Sequence, residues 1–130
     1  MIVTLNKQSG RVLSILRIIT GLLFLAHGTQ KILSFPAPPE WEVTAFSMPW
    51  IAGIMELFGG ALIVLGLFTR PVAFLLSGLM ASAYFIAHAP QSFYPILNGG
   101  DAAILYCFVF LYFVFSGPGR WSFDTKIGRE

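Results

Sequence analysis

Apolar residues dominate four stretches of this chain, and the polar positions that interrupt them recur at helical rather than strand spacing. The pattern predicts helices over residues 12–33, 49–68, 71–88 and 101–116. Crossing a bilayer takes about 20 apolar residues per helix, so each stretch is a membrane-span candidate and the last is the shortest. Between them stand helix-breaking segments: Ser34-Phe-Pro-Ala-Pro-Pro-Glu-Trp-Glu42, the brief Thr69-Arg70-Pro71, and Ala89–Gly100 with its Asn98-Gly-Gly. Pro49 suits a first helical turn, and Gly117-Pro118-Gly119 stops the last helix. So short a link between the second and third stretches makes them an antiparallel hairpin. The expected fold is all-α: a polytopic membrane protein, built as a four-transmembrane-helix bundle in a single membrane domain over residues 1–130.

Composition agrees. Only 11% of residues are charged, against about 25% in a soluble domain, so this chain cannot build a water-facing surface. A net charge of +2, scattered along the chain, gives no basis for nucleic-acid binding. Cys107 is the sole cysteine, which excludes an internal disulfide or a CxxC couple. Val12–Leu33 lacks a small-residue cleavage site and is read as a mature span, not a signal peptide. With four spans, one side collects Lys7, Arg11, Arg70, Arg120, Lys126 and Arg129, while the other has Lys31 beside Glu40 and Glu42. This asymmetry places both termini on the cytoplasmic side. Trp41 and Trp50 would mark the outer interface and Trp121 the inner one; Arg17 reads as an interfacial anchor and Arg70 as a topology signal.

Glu56 is the most informative position. It lies inside the apolar stretch Trp50–Phe68, where a carboxylate costs at least about 2.5–3.5 kcal/mol unless it finds a partner or water. Candidates at similar depth are His27, Gln30 and Lys31 at one helix end, Tyr84 and His88 at another, and Asp101 at a third. At about 100° per residue, Arg17, Gly21, Phe24, Gly28 and Lys31 share one stripe, with Gly53, Glu56 and Gly60 on another. Small residues there suit close helix packing. Each polar group also has a plainer reading. Glu56 would serve as a packing ion pair, the histidines as interfacial hydrogen-bonders, Lys31 as a snorkelling residue, and Asp101 as a helix cap. Two histidines near helix ends argue against haem, and too few ligands are present for zinc, so no metal or haem is expected.

Arg17, His27-Gly28 and Lys31, Glu56-x-x-Gly59-Gly60, Gly66-Leu-x-Thr-Arg70 and Gly117-Pro-Gly-x-x-Ser122-x-Asp124, in that order and spacing, resemble the DoxX family of small bacterial membrane proteins. The resemblance runs from about Arg11 to Asp124. It implies a four-helix membrane bundle and a link to quinone chemistry, through an archaeal thiosulfate:quinone oxidoreductase in which a related membrane subunit is thought to pass electrons to quinone. His27, Lys31, Glu56 and Arg70 fall on the family's polar motif positions. No periplasmic domain for a sulfur substrate is attached, so thiosulfate oxidation is not carried over.

The leading expectation is an integral membrane subunit of a quinone-linked oxidoreductase. Glu56 and His27 would be its catalytic pair, and Lys31, His88, Tyr84 and Asp101 would line the ligand site. Quinone reduction needs protons placed beside a carbonyl in an apolar slot, which this layer would offer. With no evident electron carrier of its own, the chain would need a redox partner or a substrate reductant. The alternatives are a non-catalytic membrane anchor or scaffold for such a partner, and a small-solute transporter formed by a homo-oligomer.

Overall fold

The computed structural model describes residues 1–129, and among these every regular element is helical. Helix α1 spans Ile2–Leu33, α2 Met48–Leu65 and α3 Thr69–Ala83, with a π-helical turn Tyr84–His88 continuing α3. A single short turn, α4 (Pro95–Asn98), precedes α5 (Asp101–Ser116), and α6 (Phe123–Lys126) closes the chain. Three helical stretches are long and apolar enough to cross a membrane: Ile2–Leu33, Met48–Leu65 and Thr69–His88. The fourth expected span, α5, has the expected bounds but only 16 residues.

Two boundaries differ from expectation. Helix α1 begins ten residues earlier than the apolar stretch, because hydropathy marks where a helix is buried rather than where its hydrogen bonds end. Its 32 residues make a rod of about 48 Å, well beyond a hydrocarbon core of about 30 Å. The turn after α2 falls at Gly66-Leu67-Phe68, and Thr69-Arg70-Pro71 forms the first turn of α3. Gly66 sets that turn. Its φ of 67° is left-handed, and a Cβ there would lie 2.5 Å from that of Ser122 and 2.9 Å from the Arg17 guanidinium carbon. Pro71 is tolerated in a first turn, where its missing N–H has no intrahelical acceptor.

Antiparallel pairs α1–α2 and α3–α5 form the body, with α2 against α3 between them. The α1–α2 seam is backbone on backbone. A Cβ on Gly28 would sit 2.5 Å from the Leu57 nitrogen, and one on Gly60 would sit 2.9 Å from the Leu25 Cα. Small residues at such a seam let helices gain dispersion contact where lipid offers no hydrophobic drive. Phe24 of α1 reaches across to α5, with ring centroids 5.3 Å from Tyr106 and 4.9 Å from Phe110. With Ile63, Leu76, Met80 and Phe113 it makes the apolar centre. Beyond the first turns of α1, which expose Asn6, Lys7, Gln8 and Arg11, the outward faces of the four long helices are largely apolar, as a lipid-facing surface requires.

Candidate functional site

The bundle has two polar ends. At the end bearing the α1–α2 loop, the stripe on α1 and the stripe on α2 meet. The Lys31 Nζ lies 2.9 Å from Glu56 Oε1, and this is the only ion pair among the described residues. Glu56 is buried, its backbone pressed on Gly28, and its second oxygen, Oε2, has no hydrogen-bond partner among the described residues. Lys31 is half-buried and spans two environments. One end holds Glu56; the stem also lines a cavity of about 290 Å³ under the α1–α2 loop, together with Pro38, Glu40, Trp41 and Glu42. His27 is exposed on the bundle flank, edge-on to Tyr106 at 6.1 Å between ring centroids. Both His27 and Tyr106 lie within electrostatic reach of the Glu56 carboxylate.

The remaining expected site residues belong elsewhere. His88 Nδ1 is 3.0 Å from the Asn98 carbonyl oxygen, and the Asn98 side-chain amide donates to Tyr84 Oη at 3.2 Å and to the Ser92 carbonyl at 3.0 Å. Asn98 Oδ1 in turn accepts from the Gly100 N–H at 2.8 Å. Tyr84 and His88, one turn apart across the π-helical segment, therefore pin the α3–α5 connection and make no hydrogen bond to Glu56. Asp101 is exposed in the first turn of α5. Gly100 occupies the cap position, and the Asp101 side chain makes no capping bond. Gln30 likewise makes no bond to Glu56. The layer expected to be continuous is thus two groups: Lys31, Glu56, His27 and Tyr106 in one, and Tyr84, His88 and Asn98 in the other. The cavity under the α1–α2 loop is lined by Lys31 but not by His27, Glu56 or His88.

The opposite end is tied down by groups read from sequence as anchors. Arg17 is buried within the bundle and does not reach outward as an anchor would. Its guanidinium donates to the Ile63 carbonyl at 2.9 Å, the Trp121 carbonyl at 2.7 Å, the Val64 carbonyl at 3.4 Å and the Pro118 carbonyl. Two of these carbonyls lie at the end of α2, where Ile63 also accepts from the Gly66 N–H and Val64 has no other donor among the described residues, and a cation is favoured at that negative helix end. Asp124 does the converse for α3, its two carboxylate oxygens accepting from the Phe68 and Thr69 N–H groups at 2.8 Å each. Arg70 donates to the Val114 and Phe115 carbonyls at the end of α5. The motif residues Gly66, Arg70, Gly117 and Asp124 are thus a backbone clasp, which their chemistry as helix-end complements explains. The inward position of Arg17 was readable from its place on the Gly21–Phe24–Gly28 stripe. Asn98 was signalled only as a turn residue, and nothing in the aromatic run of α5 singled out Tyr106.

An apolar helical body with a buried ion pair near one end and a backbone clasp at the other defines a membrane protein with transmembrane helices. The chain belongs to the DoxX family, whose model matches residues 12–89. It is 45% identical to an uncharacterized protein of Haemophilus influenzae, over 97% of this chain and 98% of that one. An uncharacterized membrane protein of Mycobacterium tuberculosis is 28% identical over 88% of this chain and 80% of its own length. No solved structure matches the chain.

Proposed function

We propose that this chain is an integral subunit of a quinone-linked oxidoreductase, set in the bacterial cytoplasmic membrane as one domain of four spans with both termini cytoplasmic. The observation that carries the reading is the buried Lys31–Glu56 pair with Glu56 Oε2 unpartnered. A buried carboxylate oxygen is expensive to leave without a donor, so the site suits a ligand that brings a hydroxyl or takes a proton there. Bound against this face, a quinone would supply the electron-accepting ring that no side chain of this protein provides. Lys31 and His27 would donate to its carbonyls, Glu56 would hold the exchangeable proton, and Tyr106 would wall the ring. Lys31, which also lines the cavity under the α1–α2 loop, would pass that proton to this side. Electrons would come from a partner protein.

The test is quinone titration in nanodiscs for the parent protein, Glu56→Gln and Glu56→Leu. Glu56→Gln keeps the shape and should weaken binding about tenfold, the worth of one hydrogen bond to a charged group. A second reading has its own support: the pair lies in the Gly28 seam, where an ion pair can serve only to fix helix register. The chain would then be a membrane anchor for a redox partner. Unchanged quinone binding in both variants, with recruitment of the partner lost, would select it.

A further inference from the structure

A second cavity, of about 280 Å³, opens at the clasp end and is lined by Leu13, Arg70, Ser116, Pro118, Arg120 and Thr125, with Gly10 and Gly119 at its floor. It is remote from Glu56 and plays no part in the reading above. Arg70 and Arg120 both line it, and no acidic residue among the described residues does. Asp124, next to the lining Thr125, has both oxygens taken by backbone N–H groups. Arg70 uses Nη1 for the α5 carbonyls, leaving Nε and Nη2 without an acceptor among the described residues. The Arg120 side chain makes no hydrogen bond or ion pair among them; it lies across Gly10, where a Cβ would come 3.0 Å from its Cγ. Gly117 makes the same room for Arg70, with a Cβ there falling 2.9 Å from Nη2. Both cations are therefore held against backbone while most of their donors stay unspent.

The geometry points to a binding site for a phosphate-bearing anion, supplied by the headgroup of an anionic phospholipid. A guanidinium fork matches phosphate oxygens, whereas the Ser116 and Thr125 hydroxyls are committed to the Gly117 and Gly119 carbonyls, so the two arginines carry the recognition. Basic pockets between helix ends at the cytoplasmic face are where such headgroups collect. The apolar neighbours fit the rest of a lipid: Leu13 lines the cavity, and Phe115 is exposed on the adjoining helix face.

The experiment is native mass spectrometry and thermal unfolding of the full chain in detergent, titrated with cardiolipin, phosphatidylglycerol, phosphatidylcholine or inorganic phosphate. The variants are Arg120→Gln and, as a control, Arg11→Gln, which removes an equal charge at the same end but outside the cavity. Cardiolipin and phosphatidylglycerol should be retained and raise the melting temperature, and phosphatidylcholine should not. Arg120→Gln should weaken anionic-lipid binding about fivefold, while Arg11→Gln leaves it within about twofold. Inorganic phosphate binding at millimolar concentration, equally sensitive to Arg120→Gln, would keep the site and make its source soluble phosphate. Equal losses in both variants, or equal stabilisation by phosphatidylcholine, would overturn the proposal.

Discussion

Arg17 and Lys31 stand on one stripe of α1 and meet the cost of a buried cation in different ways. Arg17 spreads its charge over four carbonyl oxygens, while Lys31 concentrates its charge on one carboxylate. The consequences of substitution differ accordingly. Arg17→Met leaves buried carbonyls without this donor and should cost about 3 kcal/mol or more in denaturant unfolding. Arg17→Lys keeps the charge but cannot fork to several carbonyls, so it should lose roughly half as much. Lys31→Met alone strands the Glu56 carboxylate and should cost about 3–5 kcal/mol, whereas Lys31→Met with Glu56→Leu should recover most of that loss. A double-mutant cycle reads the coupling directly. Additive losses would mean that the 2.9 Å contact contributes nothing to the fold.

Among the elements, the α1–α2 seam sets the tightest limit. Gly28→Ala forces a methyl against the Leu57 backbone, which cannot yield as a side chain would, and should destabilise by about 1–3 kcal/mol. Gly78→Ala on α3 is the matched control. Nothing lies within 4 Å of a Cβ there, so helix propensity should leave stability unchanged or raise it by up to about 1 kcal/mol. Both follow from thermal unfolding of the purified variants. The seam was legible in the sequence, because Gly21, Gly28 and Lys31 share one helical phase and Gly53, Glu56 and Gly60 another. The two stripes put Lys31 among six candidate partners for Glu56 but did not select it. The separation of Tyr84, His88 and Asp101 from Glu56 was not legible, because helical phase gives the direction a side chain leaves its own helix but not the lateral distance to another. The α2–α3 turn was misplaced because Thr69-Arg70-Pro71 looks like a linker, although proline is at home in a first turn. Gly66 was the better signal.

For the whole molecule, the test is sidedness. Arg11, Arg70 and Arg120 gather at the end opposite the α1–α2 loop, so reporter fusions after Gly128 and within residues 36–43 should land on opposite faces of the membrane, the former in the cytoplasm. Matching signals from the two would remove α5, or another helix, from the set of spans. The clasp adds a constraint in time. Pro118, which takes one of the Arg17 hydrogen bonds, is 101 positions further along the chain. At a synthesis rate of about 5–20 residues per second, Arg17 is made some 5–20 s before that acceptor exists. Throughout that interval the nascent helix carries an incompletely satisfied guanidinium, a mark that distinguishes an unfinished chain from a finished one. A ribosome halted before Gly117 would release a protein whose long helices are all present and whose Arg17 still lacks the Pro118 and Trp121 carbonyls.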